Sequence, residues 1–316
     1  MIKQRRAFIV GIKNTTLTKK EKYFLIKYKP WGVILFSRNI KNFNQIKKLT
    51  KDIRNLFKDN KYAILIDQEG GRINRLKKFI DTRTFSGEYF GNLFKRDKKK
   101  FIFNYSIFIN IISNILNDIG VNINTVPVLD LRKKNSSSII GDRSFSYNSS
   151  IVSRIGDFCI KTFSNHKIGT VIKHIPGHGL SKVDSHKMTP TVYAKTKFLF
   201  ENDFRCFKKK NSFFSMTAHI IYKDIDPINT ATHSIKIIKL IRNRLGFKNI
   251  IISDDISMKS LKFSVKINTQ KAFTAGCNLV LHCNANYNEM KIVANNSPLV
   301  NSFIVKKTSQ FYKFLS

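Results

Sequence analysis

The feature that most restricts this chain is a rhythm of short apolar runs, each separated from the next by a longer stretch with helical spacing. The runs are AFIVGI at 7–12, GVILFS at 32–37, AILIDQ at 63–68, VNINTVPVLD at 121–130, GTVIKHI at 169–175, FFSMTAHI at 213–220, NIIISDD at 249–255 and NLVLHC at 278–283. Continuous apolar runs are what parallel strands show when both of their faces are buried. NFNQIKKLTKDIRNLF and SIKIIKLIRNRLGF read as amphipathic helices between them. The second repeats apolar residues at Ile237, Ile238, Ile241 and Leu245 and ends at Gly246, a residue type suited to a helix C-terminus. Eight strands alternating with helices predict an α/β protein, a single (β/α)8 TIM barrel over 1–316. SFIVKKTSQFYKFL is expected to be a closing helix in a C-terminal part that starts at about 286. A doubly wound open sheet is the alternative.

Nothing in the chain predicts a membrane span. FIFNYSIFINIISNIL, residues 101–116, comes nearest, but Asn and Ser break it, and it reads as a helix with one buried face. The N-terminal AFIV is too short for a secretory h-region. Cys159, Cys206, Cys277 and Cys283 form no CxxC pair and read as reduced thiols. The expected location is the cytoplasm.

The formal charge of +37 raises binding to nucleic acid or an anionic surface as a function. The lysines are spread along the chain, however, and the longest runs are Lys98–Lys100 and Lys208–Lys210. No basic stretch interleaved with aromatics appears, so no specific nucleic-acid partner is expected. Heavy use of Lys, Ile, Asn and Phe reads as codon drift in an AT-rich genome.

A barrel makes a positional demand: functional side chains belong where strands end and βα loops begin. Asp67 ends the third run, Asp130 the fourth, Lys173 and His174 the fifth, His219 the sixth and Asp254 the seventh. The five segments DQEGGRINR, PVLDL, GDRSF, KHIPGHGLSKVDSH and SDDISM span 39 residues, yet hold seven of the chain's 20 acidic residues. Acids are retained there in a chain otherwise short of them, which points to a working site.

Each segment has a chemical reading and a structural one. His174 and His178 have the spacing of two ligands on a helix, but Pro176 and Gly177 forbid that helix, and neither a HExxH motif nor a nearby Cys completes a zinc set. No metal or other cofactor is expected. IPGHG reads as a tight turn in which Gly177 and Gly179 supply unusual backbone angles. Asp184 and His186 are two apart; a carboxylate that fixes an imidazole's tautomer makes it a general acid/base, whereas an Asx turn would be purely structural. Asp254 in SDDISM is placed to attack an anomeric carbon, to ligate a metal, or to cap a helix, and its neighbour Asp255 points elsewhere. Asp67, Arg75 and Arg143 have the hydroxyl- and carbonyl-gripping chemistry of a sugar pocket.

In this order, DQEGGRINR, PVLDL, GDRSF, KHIPGHG…DSH and SDDISM resemble glycoside hydrolase family 3, and within it the single-domain bacterial β-N-acetylhexosaminidases. The likeness runs from about Gly32 to Met258. One departure is Ile175, where the family usually has Phe. The resemblance implies a (β/α)8 barrel and a retaining mechanism. It makes Asp254 the nucleophile and His186 the acid/base with Asp184 as its partner. It maps sugar binding onto Asp67, Arg75, Arg143, Lys173 and His174. The implied substrate is a muropeptide fragment that loses terminal β-GlcNAc from 1,6-anhydro-N-acetylmuramic acid peptides in peptidoglycan recycling, and a monomer is expected. Two rivals stay open: the same site using phosphate as acceptor, and a basic surface-binding protein built on a barrel scaffold.

Overall fold

The computed structural model describes residues 2–133, 139–181 and 189–316. Eight parallel strands close into a barrel in which each strand lies beside its neighbours in sequence. They are β1 Arg6–Gly11, β2 Pro30–Leu35, β3 Ala63–Ile66, β4 Ile123–Asn124, β5 Gly169–Ile175, β6 Phe214–Thr217, β7 Ile250–Asp255 and β8 Leu279–His282. β8 returns to β1 through the register Phe8↔Val280, Ile9↔Leu281, Val10↔His282, which closes the sheet and excludes the doubly wound alternative.

The apolar runs are continuous because alternate residues serve two cores. Ala7, Ile9, Ala63, Leu65, Ile250, Ile252, Leu279 and Leu281 fill the barrel interior. Phe8, Val10, Ile64, Ile66, Ile251 and Val280 face outward against the helices. Helix Phe43–Phe57, capped by Asn42, returns Ile46, Leu49 and Ile53 to that outer layer. Helix Lys98–Asp118 contains the run at 101–116 and buries Phe101, Tyr105, Phe108, Ile109, Ile112 and Leu116. No helix among the described residues is long and apolar enough to cross a membrane. SFIVKKTSQFYKFL forms the helix Ser302–Leu315 and follows a separate helix, Tyr287–Asn296. Phe311 of the last helix lies in the interior core beside Phe214, at 5.2 Å between ring centroids, and Thr308 accepts a hydrogen bond from the indole of Trp31 at 2.9 Å.

Three boundaries differ from the sequence reading. The fourth strand covers two residues instead of ten, because Pro127 has no N–H for the ladder and the chain pairs with β5 again through the isolated bridge Val128↔Lys173. The sixth strand ends at Thr217, before His219, and the neighbouring Ile221–Tyr222 pairs outside the barrel with Thr191–Val192. The helix of SIKIIKLIRNRLGF stops at Asn243, and Gly246, at φ +74°, makes the bend toward β7.

Candidate active site

DQEGGRINR leaves β3 and folds straight back on itself. Gly70 and Gly71 take positive φ, +99° and +55°, where a β-carbon would be strained. The amides of Glu69 and Gly70 donate to the Ile73 carbonyl at 3.1 and 3.2 Å. Gln68, buried beneath the turn, accepts from the amides of Arg75 at 2.8 Å and Leu76 at 3.0 Å. This returns Arg75 to the pocket that Asp67 and Glu69 already face. Arg72, the other arginine of the segment, instead pairs with Asp142 at the surface, at 2.8 Å.

The pocket at the C-terminal mouth of the barrel is lined by Asp67, Glu69, Arg75, Arg143, Lys173, His174, His178 and Asp254, among others. Lys173, from the buried strand β5, extends its ammonium between Asp67 at 2.9 Å and Glu69 at 2.6 Å and also donates to Thr125 at 2.9 Å. Asp67 further accepts from the Thr125 hydroxyl and pairs with Arg75 at 3.4 Å. Burial works against charge on Asp67, but Lys173 and Arg75 outweigh it and hold the carboxyl well below its ordinary range. Arg143 forks onto Glu69 at 2.7 and 2.8 Å. For Glu69 too, burial opposes the charge and the two cations prevail, bringing it down to about 2.

Asp130 is fully buried behind this layer. It accepts from His174 Nδ1 at 2.7 Å, from the His174 amide at 3.2 Å and from the His178 amide at 2.7 Å. One carboxylate thus fixes both the imidazole and the first residues of the KHIPGHG turn. The partner on Nδ1 sets which face of the ring points outward. His174 Nε2 then lies 3.9 Å from Asp254 Oδ2. Asp254 is also held below its ordinary value: desolvation opposes ionisation, while His174, His219 and the Asp255 amide favour it. His219 itself bonds Thr232 at 2.7 Å and the Asp255 carbonyl at 3.0 Å. Asp255 turns away and accepts from Ser257 and from the Cys283 amide, a local structural role.

The structure therefore brings together Asp67, Arg75, Arg143, Lys173, His174 and Asp254. Asp184 and His186 lie outside the described residues. Among the described residues, no group of three or more His, Cys, Asp or Glu is arranged to hold a metal ion. Gly177 has φ +149°, but Gly179 does not take a positive φ. It is needed for space: a β-carbon there would lie 2.5 Å from the Leu131 carbonyl and 2.6 Å from Asp203 Oδ1. Sequence reasoning gave Glu69 no role. The available signal was its position two residues from Asp67, which puts both on one side of an extended segment.

A closed barrel whose mouth gathers carboxylates, a lysine, two arginines and an oriented imidazole has the side-chain chemistry to grip a small, hydroxyl-rich ligand. The glycosyl hydrolase family 3 N-terminal domain matches residues 5–308, and the chain belongs to that glycoside hydrolase family. It is 32% identical over 276 residues to a β-hexosaminidase of Neisseria meningitidis serogroup A, covering 85% of this chain and 75% of that protein. It is 29% identical over 281 residues to a β-hexosaminidase of Aromatoleum aromaticum, covering 87% and 78%. Native NagZ from Neisseria gonorrhoeae superposes with a TM-score of 0.88 at 27% identity over 99% of this chain and 90% of that one. The same protein in complex with N-trifluoroacetyl-D-glucosamine gives 0.87 at 26% identity, with the same coverage. Within its family the chain groups with the β-N-acetylhexosaminidases.

Proposed function

We propose that the protein is a retaining exo-β-N-acetylglucosaminidase that removes terminal β-linked GlcNAc from peptidoglycan fragments, GlcNAc-1,6-anhydroMurNAc-peptides, in the cytoplasm. The observation that carries this reading is the ionised Asp254 carboxylate facing the cavity that Asp67, Arg75, Arg143, Lys173 and His174 surround. An N-acylated glucosamine bound by the gonococcal relative supports the sugar class. The family motifs support the peptidoglycan fragment as its source.

In the first step an Asp254 oxygen attacks the anomeric carbon, the glycosidic C–O bond breaks, and the leaving oxygen takes a proton from His186, which Asp184 orients. In the second step water gives its proton back to His186 and attacks the same carbon, releasing the sugar and the Asp254 carboxylate with net retention. A depressed carboxyl suits the nucleophile, because only the anion attacks. Lys173, Arg75 and Arg143 donate to sugar or acyl oxygens, and Asp67 accepts from hydroxyls. The test is release of 4-nitrophenol from its β-GlcNAc glycoside, with the β-glucoside as control. Hydrolysis of the first alone, lost in Asp254→Ala, is the expected result. No turnover by the folded protein, or wild-type turnover by Asp254→Ala, would overturn it.

A further inference from the structure

Among the described residues that line the pocket, the fixed charges cancel. Of these residues, Asp67, Glu69 and Asp254 are the carboxylates, and Arg75, Arg143 and Lys173 are the permanent cations. Each of these cations is bound to a carboxylate: Arg75 to Asp67, Arg143 to Glu69, and Lys173 to both. Glu69 serves two of the three. Among the described residues it is the one carboxylate within ion-pair distance of Arg143. Its side chain is 7% exposed, so solvent screens these contacts little.

An unneutralised guanidinium fork beside an ammonium is the composition of a phosphate site. A neutral sugar and a water need the same N–H donors in fixed directions, but no net charge. We infer that Glu69 is the specificity-determining residue that separates these cases: it cancels the charge of Arg143 and Lys173 while keeping their donors aimed, so that the pocket takes hydroxyl ligands and rejects anionic ligands such as inorganic phosphate. The inference rests on the glycosidase reading above and deepens it. An entering phosphate meets Asp254 and Asp67 and finds each cation already paired. Glu69 acts through Arg143 and Lys173, so its role is positional and electrostatic.

The experiment compares wild type with Glu69→Gln, using the exposed Glu201→Gln as a control for the loss of one negative charge. Inorganic phosphate is the probe, with three readouts: inhibition of 4-nitrophenyl β-GlcNAc hydrolysis, formation of GlcNAc-1-phosphate, and the phosphate-induced shift in melting temperature. Wild type and Glu201→Gln are expected to be indifferent to phosphate apart from a common, weak surface effect. Glu69→Gln is expected to bind it about tenfold more tightly or better, competitively with sugar, as loss of one buried pairing charge requires. Glu69→Asp keeps the charge but is too short to hold both cations, and is expected to fall between them. This variant decides the matter if Glu69→Gln does not fold. GlcNAc-1-phosphate made by the wild type, or no gain in phosphate binding by a folded Glu69 variant, would overturn the inference. The melting shift needs no turnover, so failure of the glycosidase reading would show separately, as absent hydrolysis by the wild type.

Discussion

Asp130 Oδ2 lies 2.7 Å from His174 Nδ1, and the same carboxylate takes the backbone amide of His178 at 2.7 Å. A single buried side chain thus orients a pocket imidazole and pins the turn that leaves β5. The two duties separate by mutation. Asp130→Asn keeps the shape but mispairs with one donor. It is expected to lower kcat/KM by about tenfold to a hundredfold through the wrong ring tautomer or tilt. Asp130→Ala leaves the His178 amide buried without an acceptor, at a cost of about 1–3 kcal/mol, and is expected to melt measurably lower than Asp130→Asn. Equal melting temperatures for the two variants would count against the pinning role.

Asp254 is expected to be indispensable to turnover but not to folding. Asp254→Gly is predicted to lose about three orders of magnitude or more in kcat on aryl β-GlcNAc. Azide should then restore release of the aryl group by attacking from the face that Asp254 vacates, forming an α-glycosyl azide. A β-configured product would be inconsistent with direct displacement at that face.

Stability should fall with pH on the acid side of neutrality, with buried histidines and one raised carboxyl among the groups that set the slope. His178 and His233 are driven down by burial, to about 4 and about 3, so the unfolded chain binds more protons than the folded one below about pH 6.5. Each therefore contributes stability that is complete above that pH and is lost as pH falls toward its folded value. Asp203 opposes them. Burial raises it to about 6, so its contribution is present at low pH and is lost as pH rises from about 4 to about 6. Melting temperature should decline from pH 6.5 to 4, because the depressed histidines His178, His219 and His233 outnumber the one raised carboxyl. His233→Gln should flatten this slope and Asp203→Asn should steepen it. A slope unchanged in both variants would contradict the assignment.

Phe311 closes the floor of the barrel, fully buried in the interior core with Phe214 and Trp31. Phe311→Ala should cost about 3–5 kcal/mol through the cavity it leaves. The site lies at the opposite end of the strands, so kcat below the melting transition should change little. A large kcat loss in folded Phe311→Ala would show coupling between the two ends of the barrel.

Much of this architecture is local and therefore written along the chain. Strand runs such as GVILFS and NIIISDD declare themselves because a residue's neighbours at one and two positions decide whether both faces of a strand are apolar. Asp254, Lys173 and His174 were legible because a charged residue at the end of such a run has no packing reason to be there. The family motifs give these positions the roles proposed above. β4 was misjudged because its apolar pattern continues past Asn124 while Pro127 interrupts the ladder, a difference between hydrophobicity and hydrogen bonding. What only the tertiary structure decided are the pairings. Glu69 meets Arg143 from 74 residues away, and Asp67 meets Lys173 from 106. Neither distance along the chain says that those side chains will lie within 3 Å. Closure of the barrel sets which strand ends converge, and the turn at Gly70 and Gly71 sets which side chains face inward. Burial makes an unpaired charge in the pocket costly, and there Arg75, Arg143 and Lys173 each meet a carboxylate.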